Sequence, residues 1–468
     1  MPTTTLATRV AKDRHRLCYA DGRPFFYLAD TAWTLFGDLS SEETDDFFAD
    51  RAAKGFTAIQ ACVFRDLFEP NSPNVAGDRP FATDEDLHAV RMNPAWIDHV
   101  VQMTRKAAEY GLVMALLPTW GDKWNAHSNS AGPVVMDAAK GREYCRFLSD
   151  ALGDCENVIW VLGGDSPILE PSHAETIRDM AAGLRDGASG ERLITFYPNG
   201  LGSSEIFHSE GWLDFNALQT SHYKPNVPGY LYVERLFNVS PPKPAIDMEP
   251  NYEAARMFVF GTRTPHQTFE RGDSPYLPQF SAYDVRKAYY RTVLAGAAGF
   301  TYGHDSIRQI LRSGDRHHAW DEGGLPDWKT ALSAPGSSQL ALLKDLVTEL
   351  GHDRLVPAQH LFVPFRQTDA WPDRMAIGLD FAGQSNLDPA SHIRIAADQL
   401  NRWLIAYTPV RNILTLDTSQ LAGARLEVTI FDPETGKTDR CFEIDRRDTL
   451  KLVPDRDLDS LIVIKVVG

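Results

Sequence analysis

The sequence predicts an α/β protein: a (β/α)8 TIM barrel over residues 1–355, followed by an antiparallel β-sandwich over residues 356–468. Three observations carry this expectation. Short apolar runs alternate eight times with helical patterns across about 300 residues, the order that builds a parallel barrel. No GxGxxG and no P-loop opens a helix, which disfavours a doubly wound open sheet, the runner-up architecture. Beyond SAPGSSQLALLKDLVTELGHDRLVPA (333–358) the helical period stops and strand patterns take over.

The eight apolar runs are FFYLADTAW (25–33), FTAIQACVF (56–64), LVMALLPTW (112–120), NVIWVLGGD (157–165), RLITFYPNG (192–200), FNALQTSHY (215–223), KPAIDMEPNYE (243–253) and GFTYGHD (299–305). Helical stretches separate most of them. SEETDDFFADRAAKG (41–55) opens on Ser41 with acidic residues in its first turn and closes on Gly55. PAWIDHVVQMTRKAAEYG (94–111) starts on Pro94 and stops at Gly111, with apolar residues at helical spacing. GREYCRFLSDAL (141–152), HAETIRDMAAGLRDG (173–187) and DVRKAYYRTVLAGAAG (284–299) repeat the theme. The fifth-to-sixth link is short, and residues 251–282, rich in Pro, Gly and polar side chains, are expected to cover one end of the barrel. In the C-terminal part RMAIGLDF (374–381), HIRIAAD (392–398), RWLIAYTP (402–409), RLEVTIFDPETGKTDRCFEI (425–444) and DSLIVIKVV (459–467) read as strands, with DPETGK as a hairpin turn.

Composition narrows the function. The chain has 468 residues and a net charge of −16, and it lacks a long basic run, so a nucleic-acid surface is disfavoured. A hydrophobic content of 43% argues for a large core and against disorder. The five cysteines (Cys18, Cys62, Cys145, Cys155 and Cys441) form no CxxC and fit free thiols in a reducing compartment. The N-terminus has no apolar signal-like segment and no stretch approaches a membrane span, so a cytoplasmic protein is expected.

In such a barrel the chemistry belongs at the C-terminal tips of the strands. The tips carry Asp30 and Trp33; Gln60, Arg65 and Asp66; Trp120, Asp122, Lys123 and Trp124; Asp165; Asn199; His222 and Tyr223; Glu249, Tyr252 and Glu253; and Tyr302, His304 and Asp305. Aromatic faces stack on sugar rings while carboxylates and amides bind hydroxyls, so this mixture suits a carbohydrate or small glycoside. Two acids are placed as a pair, Asp165 after strand 4 and Glu249 after strand 7. Glycoside hydrolysis needs two carboxylates flanking one bond. The competing readings are that Asp165 caps the next helix or shapes a turn, and that Glu249 pairs with an arginine. The double glycine before Asp165 would let backbone approach a ligand closely. His222 and His304 could ligate a metal with Asp30 or Asp305, but no HxH or HExxH spacing supports it. No metal and no cofactor are expected, and a GxSxG elbow for acyl transfer is missing. A homo-oligomer stays open.

FYLADTAWTLF, VIWVLGGD, AIDMEPNYE and FTYGHDSI, in this order, resemble the apiosidase-like family, glycoside hydrolase family 140. The resemblance spans most of the chain, including a C-terminal β domain that the family labels collagen-binding. It implies a barrel related to the 4/7 glycosidase superfamily, with Asp165 as acid/base and Glu249 as nucleophile. It further implies release of the branched furanose apiose from a glycoside. The superfamily commonly has Asn-Glu at strand 4. Gly-Asp here supplies a shorter acid, so the bond to be cleaved must lie deeper or closer. The reading that follows is an exo-acting, retaining glycosidase. Asp30, Trp33, Gln60, Trp120, Asp122, Trp124, His222, Tyr223, Tyr252, Glu253, Tyr302 and His304 are the candidates for positioning the sugar. A nearby Glu249 carboxylate should raise the Asp165 pKa. A carboxyl separation of about 5 Å would indicate retention, and about 6.5–9.5 Å inversion. The rivals are an arabinofuranosidase or pyranosidase of the same fold, a non-catalytic sugar-binding relative, and a metal-dependent barrel enzyme.

Overall fold

The computed structural model describes residues 5–64, 71–127, 132–222, 226–257, 279–313, 324–363 and 389–467. Strand-forming apolar runs and helix signals fall where the sequence places them. The barrel strands are β1 (Tyr27–Thr31), β2 (Ala58–Cys62), β3 (Val113–Leu117), β4 (Val158–Gly163), β5 (Ile194–Tyr197), β6 (Asn216–Leu218), β7 (Ala245–Asp247) and β8 (Gly299–Tyr302). All pair in parallel, in the order β5-β4-β3-β2-β1-β8-β7-β6. The main helices are α1 (Ser41–Ala53), α2 (Pro94–Glu109), α3 (Ala138–Ala151), α4 (Pro171–Asp186), α5 (Gly229–Phe237), α6 (Ala282–Leu294) and α7 (Ala341–Leu350). Only a 3-10 turn, Ser204–Phe207, links β5 to β6, as the short spacing implies. A small antiparallel sheet (Thr8–Val10, Leu17–Tyr19, Pro24–Phe25) precedes β1.

α1 opens on Ser41, as expected, and its N-cap is the residue before. Ser40, not Ser41, accepts the Glu43 N–H, and the Glu43 carboxylate accepts the Ser40 N–H. A capping box needs the hydroxyl three residues before its acid, which selects Ser40.

Side chains alternate strictly along the barrel strands. Tyr27 and Ala29 of β1, Ala58 and Cys62 of β2, Val113, Ala115 and Leu117 of β3, and Ile159 and Val161 of β4 fill the interior. Leu28, Ile59, Met114, Leu116, Trp160 and Leu162 face the helices. The interior is a packed core, so a ligand can enter only at the mouth.

Between β5 and β6, side chains substitute for ladder bonds. Asp214 N–H donates to the Ile194 carbonyl at 2.9 Å, and its carboxylate accepts the Ile194 N–H at 2.7 Å. Thr195 Oγ1 donates to the Phe215 carbonyl at 2.7 Å, and Ser204 Oγ accepts the Ala217 N–H at 2.9 Å. Arg185 of α4 pairs with Asp214 at 2.6 Å and also caps the carbonyls of Gly190, Arg192 and Trp212.

The C-terminal strands are β9 (Leu355–Pro357), β10 (Arg394–Asp398), β11 (Trp403–Thr408), β12 (Leu414–Asp417), β13 (Arg425–Phe431), β14 (Thr438–Asp445), β15 (Thr449–Leu452) and β16 (Ser460–Val467). Six form one antiparallel sheet, β9-β10-β11-β16-β13-β14, and β12 pairs with β15. The strand expected at 374–381 lies outside the described residues. Ile395, Leu404, Ala406, Ile462 and Ile464 point toward the β12–β15 ribbon. Their neighbours Ala396, Ile405, Tyr407, Leu461 and Val463 join the cluster that packs the barrel's helical layer. Burial on both faces explains why these antiparallel strands read as unbroken apolar runs. Buried Arg286 of α6 grips the Asp459 carboxylate through Nε at 2.7 Å and Nη2 at 2.8 Å, and Tyr407 Oη donates to the same carboxylate. No helix among the described residues is long and apolar enough to cross a membrane.

Replacing Asp214 by Ala removes the acceptor for Ile194 N–H and the partner of Arg185 together. Asp214→Ala is expected to cost about 2–3 kcal/mol in urea unfolding, and Asp214→Asn, which keeps an acceptor, less.

Candidate active site

Asp165 lies just beyond the end of β4, on a turn in which three successive residues adopt left-handed backbone: Gly163 (φ 104°), Gly164 (φ 96°) and Asp165 (φ 53°). Aspartate tolerates this region better than most residues. The glycines are required by their neighbours. A Cβ on Gly163 would lie 2.2 Å from the Tyr197 carbonyl oxygen, and one on Gly164 would lie 2.6 Å from the Gly121 nitrogen. The close backbone approach that the double glycine permits is thus to the ends of β3 and β5. The Gly164 carbonyl accepts the Gly121 N–H at 2.9 Å, and Trp124 Nε1 donates to the Gly163 carbonyl at 2.9 Å. Asp165 is not a helix cap: α4 starts at Pro171 with Glu170 as its N-cap. Asn199, after β5, donates from Nδ2 to Asp165 Oδ1 at 3.3 Å.

Glu249, just past β7, is buried. Its Oε2 accepts a hydrogen bond from Gln219 Nε2 at 2.9 Å, and His222 Nδ1 lies 3.6 Å from Oε1. Burial, followed by the Arg308 charge, lowers the His222 pKa to about 4 against a smaller opposing effect of Asp305. His222 is therefore neutral near pH 7, and its contact with Glu249 is not an ion pair. Tyr252 stacks on the His222 ring at 5.1 Å between centroids. Behind Glu249, the buried Asp247 carboxylate accepts Thr220 Oγ1–H at 2.6 Å and Thr220 N–H at 3.3 Å, clasping β6 to β7. Burial pushes the Asp247 pKa up to about 7, against the opposing effect of those bonds and of the Glu249 backbone.

The two acids are joined along one rim. Asp165 meets Asn199; two residues on, Leu201 N–H donates to the Gln219 carbonyl at 2.8 Å; Gln219 meets Glu249. The tips of β4, β5, β6 and β7 therefore form a continuous hydrogen-bonded arc with one acid at each end.

Other candidates go elsewhere. Asp30 and Tyr302 face outward, because alternation puts them with Leu28 and Phe300 on the helix side. Asp30 lies 2.8 Å from Arg51 Nε of α1, both fully buried, and burial raises its pKa to about 6 despite the guanidinium. Tyr302 Oη donates to Glu253 Oε2 at 2.6 Å, and Gly336 N–H donates to the same oxygen, so Glu253 also belongs behind the wall. Gln60 points into the barrel and is saturated. It accepts from Tyr27 and Thr301 and donates to Thr31 Oγ1 and, at 3.0 Å, to the Met248 carbonyl. Trp124 braces the Asp165 turn from outside. Asp122 pairs with buried Lys123 at 3.2 Å and accepts the Gly132 N–H. Trp33 packs edge-on against Trp120 at 5.1 Å and Tyr197 at 5.5 Å, an aromatic layer within the barrel interior. His304 Nδ1 accepts the Ser306 N–H, and burial lowers its pKa to about 4. Tyr223 lies outside the described residues. Among the described residues, no cluster of three or more His, Cys, Asp or Glu side chains is arranged to hold a metal. Gln219, Asp247 and Arg308 were not among the sequence candidates. Alternation in FNALQTSHY, which puts Gln219 on the face of Ala217, was the available signal.

Comparison with known proteins adds the family. A family model described as "Apiosidase-like, catalytic domain" matches residues 11–352. A solved structure titled "Glycoside hydrolase" is 24% identical with a TM-score of 0.80, over 98% of this chain and 97% of that one. A glycoside hydrolase family 5 structure from Bacteroides vulgatus is 22% identical with a TM-score of 0.81, over 98% and 93%. At these identities the likenesses are of fold. No curated protein sequence matches the chain.

Two outcomes are expected. Gly163→Ala should lose about 2–3 kcal/mol of stability in denaturant unfolding, because both φ and the Tyr197 oxygen oppose a Cβ. For Asp247, a pKa raised in the folded state gives stability that is complete below about pH 4 and is lost as pH rises through about 7. Asp247→Asn is uncharged throughout. The stability difference between wild type and this variant, followed by unfolding across pH 4–8, should therefore shrink or reverse as pH rises, and a flat difference would refute the raised value.

Proposed function

Because the chain belongs to the apiosidase-like family and is a glycoside hydrolase, we propose that it removes a terminal furanose-like sugar, such as apiose, from a short glycoside, with retention at the anomeric carbon. In this reading the barrel to residue 355 is the catalytic unit and the rest a structural β domain. The observation that carries the proposal is the arc from Asp165 to Glu249. It places two carboxylates on one rim, one met by neutral Asn199 and the other by Gln219 and neutral His222.

Each carboxylate has a role that its surroundings favour. Glu249 is the nucleophile. Amide donation to Oε2 fixes the carboxylate plane, and Oε1, which faces neutral His222 at 3.6 Å, is the oxygen assigned to attack. Asp165 is the acid/base. It protonates the leaving oxygen as the C–O bond breaks and a glycosyl ester forms on Glu249. It then takes a proton from the water that attacks the same carbon, releasing the sugar. The turn beneath Asp165 is rigid, because its two glycines are hemmed in by Tyr197 and Gly121 and its carbonyls are bonded. A short, fixed acid suits a small ring held close to the barrel interior. Gln60 holds the carbonyl immediately before Glu249, which makes it a brace for the nucleophile rather than a sugar ligand.

Asp165→Asn and Glu249→Gln should each reduce turnover by roughly 10²–10⁴-fold or more while the fold persists by circular dichroism. The assay is a panel of aryl apiosides, arabinofuranosides and pyranosides, with product anomer followed by NMR. Near-wild-type turnover by either variant removes that residue's role. Turnover of only a pyranoside overturns the furanose assignment, and release of the inverted anomer overturns retention.

A further inference from the structure

The residue that organises Glu249 has one polar atom to spare. Gln219 follows β6 on the interior face, and its backbone is held on both sides, N–H to the Gly202 carbonyl and carbonyl from Leu201 N–H. Its side chain is 2% exposed. An ionised carboxylate only accepts hydrogen bonds, so the amide must turn its NH2 toward Glu249 Oε2 and its carbonyl away. That carbonyl, Oε1, is buried and has no hydrogen-bond partner among the described residues. Buried acceptors are nearly always satisfied, and leaving one unpaired is costly. If Gln219 served only to orient Glu249, the second half of the amide would be a liability at no gain.

Resting on the reading of Glu249 as nucleophile, we propose that Gln219 Oε1 accepts a hydrogen bond from the sugar hydroxyl on the carbon next to the anomeric carbon. When Glu249 attacks, that hydroxyl lies beside its carboxylate, one amide width from Gln219 Oε1. No side chain from the residue before Asp165 can serve it, because that residue is Gly164. The hydroxyl becomes a stronger donor as positive charge develops on the ring, so the bond tightens in the transition state. Gln219 thus links nucleophile orientation to substrate choice and restricts the enzyme to sugars bearing that hydroxyl.

The test uses two pyrrolidine iminosugars that mimic a charged furanose ring and differ only in the hydroxyl adjacent to the carbon standing for the anomeric one. Calorimetry measures Kd for the full-length wild type, Gln219→Met and Gln219→Asn. The wild type should prefer the hydroxylated compound by roughly 30-fold or more, because its absence leaves a buried acceptor unpaired. The preference should fall to about 3-fold or less in Gln219→Met, which keeps the volume and loses the acceptor. Gln219→Asn, one methylene shorter, should also lose it, and covers the case in which the methionine variant fails to fold. Equal binding of both compounds by the wild type, or an undiminished preference in a folded variant, overturns the proposal while leaving Glu249 untouched. Wild type that binds neither compound instead overturns the furanose-site reading beneath it.

Discussion

Closing a parallel sheet on itself obliges its two end strands to satisfy each other, and that constraint governs the site of this enzyme. β5 and β6 meet with few matched backbone groups, so Asp214, Thr195 and Ser204 supply the missing acceptors and donors. Arg185 holds Asp214 from α4. Above this seam, Leu201 and Gly202 pair with both sides of Gln219, bringing the tips of β5 and β6 together. Without that junction Asn199 and Gln219 would not be neighbours on one rim, and the two acids would sit on unconnected arcs. The seam is a packing solution that also ties the loop after β5 to the tip of β6, and so sets Asn199 and Gln219 on one rim.

The eight strands, their helices and the positions of Asp165 and Glu249 just past β4 and β7 were legible because periodicity and strand counting are local properties of the chain. Wrong emphasis came from treating every polar residue near a strand end as facing the mouth. In FFYLADTAW, a period of two assigns Asp30 to the face of Leu28, and the ion pair with Arg51 follows from it. The same rule sends Tyr302 outward with Phe300, and Glu253 follows as its partner. Gln219 was legible by that rule and overlooked. Arg308 and Asp247 were not legible, because their importance arises from which distant element lies opposite. Arg308, in the loop after β8, adds to the larger effect of burial in lowering the His222 pKa. Asp247 bridges to Thr220 across a strand boundary.

Buried polar groups divide into two kinds here. Those behind the wall, such as Asp30–Arg51 and Glu253–Tyr302, lock helices and loops to strands. Among those at the mouth, Glu249 is met by the Gln219 amide and by neutral His222, and Arg308 pairs with Asp305.

The six-stranded C-terminal sheet has no solvent face along its centre, since one side packs on its own ribbon and the other on the barrel's helices. Arg286 and Asp459 close that contact with a buried pair. Such a sheet behaves less like an appended module than like an outer stave of the cask. Removing it would leave α6 with an apolar flank and Arg286 with an orphaned guanidinium.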